Sequence, residues 1–172
     1  VEKIQGVKSK FNQQIELPIA LYGDERNNSK GLDLTDINLI TPMKDNLDKW
    51  LANHLIDISA VPEGSKPVIN PANHDEVIGY ITHQSDEEMK TLIEKADRAF
   101  TDWSTTDVKI RAELLRKTAD ILERHRDELI ALCMKEAGKV AQDGIDEVRE
   151  AVDFCRYYAA RAEELAKDDR FE

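Results

Sequence analysis

Glu-Val-Arg-Glu-Ala-Val-Asp-Phe-Cys-Arg-Tyr-Tyr-Ala, residues 147–159, follows Lys-Glu-Ala-Gly-Lys at 135–139, and this stretch decides the reading of the chain. Ala141, Ile145, Val148, Val152, Cys155 and Ala159 recur at alternating steps of three and four, and Ala162 and Ala166 continue the series. That spacing predicts a long helix whose apolar stripe packs on a neighbouring helix. On the opposite side the same period gathers Glu150, Phe154, Tyr157 and Arg161. A solvated face has no need of such an aromatic and charged row, so a second partner is expected there.

Outward from this helix, composition bounds the function. The 172 residues carry 35 acidic and 24 basic side chains, a net charge of −11, which argues against nucleic acid as a partner. No apolar run reaches the roughly eighteen residues a membrane span needs. The first twenty residues, with Glu2, Lys3, Lys8 and Lys10 among them, lack the apolar centre of a signal peptide. A cytoplasmic protein without membrane insertion is therefore expected. Cys133 and Cys155 fall in helical patterns and outside any metal-ligand spacing, so both read as unpaired core residues. His54, His74, His83 and His125 share no face with a carboxylate, and no metal site is expected.

The pattern divides the chain into two parts. Residues 1–60 read as a connector, dense in turn formers at 22–31, with one short helix near Thr41 to Leu55 that Thr41 caps and Pro42 opens. Residues 61–172 open with a break at 61–67 and a β-hairpin, Val68 to Pro71 against Val77 to Ile81, with Pro71 at its end or on an edge. Three or four helices follow. Ser85 with Glu88 forms a capping box ahead of Met89, Leu92, Ile93, Ala96, Phe100 and Trp103. Asp107 caps the next helix, His125-Arg126-Asp127 interrupts it before Leu129 to Ala137, and Gly138 takes the left-handed position that ends a helix. Gly144, early in the last helix, carries a propensity cost near 1 kcal/mol. Trp50 and Trp103 lie on apolar faces and read as core. The fold class is mainly α with one hairpin.

Three separated segments carry a family likeness. Leu21-Tyr22-Gly23 with Arg26, Asn28-Ser29 and 31–34 resembles the connector that follows the proline dehydrogenase barrel in the bifunctional PutA enzymes. Val68 to Ala72 is similar to the asparagine-proline hairpin that opens aldehyde dehydrogenase domains, and Trp103-Ser104, Arg111, Leu114-Leu115, Ala119, Leu122, 136–139 and 147–158 resemble that superfamily's first helices. The 151–159 run is similar to the glutamate-semialdehyde dehydrogenase branch in particular. The resemblance implies an incomplete part of an α/β aldehyde dehydrogenase fold. It further implies a parent that oxidises proline to glutamate with FAD and NAD, the rest of the parent polypeptide as partner, and a cysteine thiolate nucleophile. No glycine-rich strand-to-helix turn and no sequence like the nucleophile loop surround Cys133 or Cys155, so no catalytic or cofactor-binding residue is assigned within these residues.

Two substrate-binding residues follow from the same resemblance. Glu150, four residues before Phe154, matches an acidic residue that approaches the substrate's amino group in semialdehyde dehydrogenases, and Phe154 lines the same entrance. The plain reading of Glu150 is a solvated helix charge. Lys139 reads as a helix-end charge, and Arg26 with Asn27 and Asn28 as a turn with a solvated cation rather than a phosphate site. The competing function is a non-enzymatic helical docking module. In either case an uncovered face on the last helix leads to an expectation of self-association.

Overall fold

The computed structural model describes residues 15–52, 61 and 63–167. Its order of elements is α1 (Ile37–Ala52), β1 (Lys66–Asn70), β2 (Asn73–Ile81), α2 (Asp86–Thr105), α3 (Val108–Arg124), α4 (Arg126–Ala137) and α5 (Ala141–Leu165), preceded by a 3-10 turn at Pro18–Ala20. The fold is mainly helical with one antiparallel hairpin, as the period of the sequence predicts.

The helix starts follow their capping chemistry. Ser85 Oγ accepts from the Glu88 backbone N–H while the Glu88 carboxylate accepts from the Ser85 N–H, so the capping box that opens α2 is complete. Asp107 caps α3 by accepting from Lys109 N–H at 2.7 Å. The expected interruption occurs at His125, which closes α3 and precedes α4.

The expected start of α1, with Thr41 as its cap and Pro42 as its first residue, is corrected by five residues. Asp36 supplies the capping oxygen, accepting from Asn38 N–H at 2.9 Å, and the helix begins at Ile37. Thr41 instead donates its hydroxyl back to the Ile37 carbonyl, and Pro42 lies inside the helix. Met43 and Leu47, buried in the core one turn apart, hold this proline-bearing turn in place. Leu55 and His54 lie outside the described residues.

The hairpin turns at Pro71-Ala72. Asn70 Oδ1 accepts from Ala72 N–H at 2.9 Å, and the register pairs Asn70 with Asn73 and Val68 with Gly79 across an irregular step at Ile69. Pro71 thus sits at the hairpin end, where its missing N–H costs the ladder nothing. The hairpin docks on α4 through Lys135, 8% exposed, whose ammonium donates to Glu76 at 2.6 Å while Asn70 donates to the other Glu76 oxygen at 2.7 Å. Gly138 adopts φ +64°, and a Cβ there would stand 3.1 Å from Pro71 Cγ, so both the helix end and its contact with the hairpin turn need glycine.

The core joins α1, α3, α4 and α5: Met43, Leu47, Ala119, Ile130, Ala131, Ile145, Val148 and Val152 bury one another. The predicted stripe of α5 is this seam, buried from Ile145 to Ala159 and ending where Ala166 passes beyond the helix into solvent. Gly144 lets α5 approach α4. A Cβ on it would fall 2.9 Å from Ile130 Cγ2 and 3.4 Å from Ile130 Cα. α2 is different, since every one of its residues is exposed. Trp103 and Trp50, expected as core, are 47% and 37% exposed, because the described elements leave most of the apolar side of α2 uncovered and Trp50 sits at the outer edge of α1.

Candidate functional site

The functional geometry centres on the side of α5 turned away from the core. Helical spacing sets two adjoining rows there, Arg149-Asp153-Arg156 and Glu150-Phe154-Tyr157-Arg161. The partner expected for this side is in part the connector itself. Ser29, 4% exposed, donates its N–H to one oxygen of Asp153 at 2.7 Å and its hydroxyl to the other at 2.8 Å. Lys30 N–H donates to Glu123 Oε1 of α3 at 2.8 Å.

Arg156 ties the connector to both helices. Its guanidinium donates to the Asn28 carbonyl at 3.2 Å, to Glu123 Oε2 at 2.9 Å and to Asp120 at 3.0 Å. Burial opposes the charge of Arg156, but these carboxylate hydrogen bonds outweigh it and hold the guanidinium above its ordinary range. Further along, Arg26 stacks over Tyr22 at 3.7 Å and faces Tyr157 at 5.7 Å, while Arg161 pairs with Glu25 at 2.8 Å. The Arg26 side chain is only 11% exposed, so the expectation of a solvated turn cation is corrected: it is a structural clamp between the connector and α5.

The connector stops short of the other half of the row. Glu150 and Phe154, the two substrate-binding residues expected from the sequence, stand one turn apart and exposed, with Phe154 at 51%. Among the described residues Glu150 makes no ion pair, and its carboxylate is free. Phe154 forms one end of an aromatic chain, 5.9 Å from the Tyr158 ring, which in turn meets Tyr157 edge-on at 5.2 Å. A carboxylate beside an aromatic surface can receive an ammonium group.

Other candidates resolve differently. Lys139 follows the end of α4, and its ammonium also reaches Glu147 on α5, a hydrogen bond that raises its pKa. Cys133 and Cys155 are free and half-buried. Burial foremost, then the nearby Glu147 charge, pushes the Cys133 thiol up, the opposite of what a thiolate nucleophile requires. His125 pairs with Glu128 at 2.9 Å on the surface. Sequence reasoning missed the Ser29–Asp153 and Arg156–Glu123 links, whose partners lie 124 and 33 residues apart.

The family model that matches residues 59–171 is that of the aldehyde dehydrogenase family. The chain belongs to the aldehyde dehydrogenase family. It is 34% identical over 169 residues to the bifunctional protein PutA of Escherichia coli (strain K12), an alignment covering 94% of this chain and 13% of that protein. To 1-pyrroline-5-carboxylate dehydrogenase 2 of Bacillus subtilis (strain 168) it is 39% identical over 99 residues, 58% of this chain and 19% of the relative. A crystal structure of a bifunctional proline utilization A protein superposes with a TM-score of 0.72 at 27% identity, covering 91% of this chain and 14% of that one. This aldehyde dehydrogenase segment therefore spans about an eighth of the length of the PutA relatives it matches. The likeness to PutA starts well before residue 59 and so takes in the connector as well as the family's own helices.

Proposed function

We propose that the chain forms the connector and the opening of the NAD-dependent glutamate-semialdehyde dehydrogenase module of a proline-catabolic enzyme, with Glu150 and Phe154 on the wall of the substrate entrance. The observation that carries this reading is the fastening of the connector along α5 by Ser29, Arg156 and Arg26, which leaves Glu150 and Phe154 open beside it. In this role Glu150 accepts a hydrogen bond from the substrate ammonium and Phe154 excludes water from its aliphatic part.

The chemical step itself falls to other residues of the enzyme. The sheet of the described residues is a two-stranded antiparallel hairpin rather than a parallel strand leading through a glycine-rich turn into a helix, which supports placing the dinucleotide sites elsewhere in the enzyme. Cys133, half-buried with a raised pKa, is unsuited to attack an aldehyde. The uncovered apolar side of α2 and the exposed Phe154 and Tyr158 of α5 support a role for the rest of the polypeptide as their cover, and the chain alone self-associates through the face of α5 that stays open. We place the enzyme in the cytoplasm.

The test is semialdehyde-dependent reduction of NAD, followed by absorbance, by a full-length polypeptide carrying these residues and by the 172-residue chain. The longer protein turns over and the chain does not. Turnover by the chain alone would refute this assignment of roles.

A further inference from the structure

Between the Ser29–Lys30 segment, the α3–α4 junction and α5 lies a cleft of about 450 Å³. Its floor is apolar, formed by the buried Val148 and Val152. Four cationic side chains line it, Lys30, Arg124, Arg126 and Arg149, against two carboxylates, Asp120 and Glu123. The carboxylates are already engaged, Asp120 and Glu123 by Arg156, and Glu123 also by the Lys30 N–H.

Three of the four cations have no carboxylate partner among the described residues. Arg126 pairs with Asp127, but among the described residues Lys30 and Arg124 have no carboxylate partner. Arg149 makes one long contact, Nε to Ser29 Oγ at 3.4 Å. Asp153, one turn away on α5, has both oxygens turned to Ser29 and forms no ion pair with Arg149. Gly31 leaves room for the Arg149 guanidinium, whose carbon lies 3.7 Å from where a Cβ would stand. The arginine is thus held flat against the connector with its two terminal nitrogens free. In a chain of net charge −11, this concentration of unneutralised cations runs against the overall balance.

We propose that this cleft binds a compact anion bearing phosphate or paired carboxylate groups. The planar fork of Arg149 suits two oxygens of one such group, and Lys30 and Arg124 add point charges at the rim. The apolar floor lowers the local dielectric, which strengthens each of these contacts. The site is separate from Glu150 and does not depend on the role proposed for it.

The experiment titrates the 172-residue chain with inorganic phosphate, and separately with succinate, at ionic strength held constant with sodium chloride. Backbone amide shifts of residues 29–31 and 123–126 report binding. Saturable shifts confined to these amides are expected from at least one anion, phosphate alone indicating a phosphate-bearing ligand and both indicating a site for carboxylates too. Arg124→Gln, on an exposed side chain, and Arg149→Gln are each expected to weaken binding roughly tenfold, and Lys109→Gln, remote on α3, to leave it unchanged. Shifts no larger than those from chloride, or affinity in both arginine variants equal to that of the parent chain, would overturn the proposal.

Discussion

Replacing Gly144 by alanine sets two effects of opposite sign against each other. In an exposed helix the change stabilises by about 1 kcal/mol, because alanine loses less backbone entropy. Here the new methyl would meet Ile130 Cγ2 at 2.9 Å and Ile130 Cα at 3.4 Å. Neither atom can move cheaply: Ile130 is fully buried, β-branched and stiff at χ1, and the second contact is backbone. Overpacking of this kind costs about 1–3 kcal/mol, and a rigid, enclosed neighbour puts it in the upper part of that range. The net expectation is a loss of about 1–2 kcal/mol, read as a lower urea midpoint at unchanged slope. Ile130→Ala removes the opposing methyl, so in the double variant the two changes should couple by about 1 kcal/mol or more. A Gly144→Ala chain more stable than the parent by the helix-propensity amount would refute the close α4–α5 approach.

Other expectations follow from the contacts. Asp153→Ala leaves the buried Ser29 N–H and hydroxyl without an acceptor, so hydrogen exchange at residues 28–31 should quicken far more than in α3 or α4. Lys135→Met strips Glu76 of its ammonium and should cost about 2 kcal/mol in urea melts, much of it recovered when Glu76→Leu is added. Glu163 is held below its ordinary 4.5 chiefly by the hydrogen bond from Arg116. Because the folded value is depressed, the stabilisation is present above that pH and is lost as pH falls through the lowered value. Thermal melts of the parent and Arg116→Gln should therefore differ at pH 6 and converge under acid; a constant difference would contradict the pairing.

Local chemistry made much of the fold readable. The Ser85–Glu88 box, the Asp107 cap and the left-handed Gly138 depend on residues a few positions apart, and each is where the pattern puts it. The buried stripe of α5 was legible for the same reason, since helical period alone defines it. Pro42 misled because proline favours a first turn, while Asp36 offered a capping oxygen farther upstream and core burial of Met43 and Leu47 tolerated the proline. The docking of the connector was not legible. Ser29 and Asp153 carry no local signature, and Arg26, with its turn-forming neighbours, gives no hint that it will be buried between two tyrosines. The cationic cleft was hidden likewise, because its lining comes from three distant parts of the chain. Helical spacing identified the apolar side of α2 but could not show that the other described elements leave most of it uncovered.

The most direct test of the account is the steady-state kinetics of Glu150→Ala in the full-length enzyme with glutamate-semialdehyde as the varied substrate. Loss of one charge-assisted hydrogen bond to the substrate ammonium should raise KM by roughly tenfold or more and leave kcat nearly unchanged, since the contact is equally present before and during reaction. Kinetics indistinguishable from the parent enzyme would remove Glu150 from the entrance and leave this side of α5 as a docking surface for the connector alone.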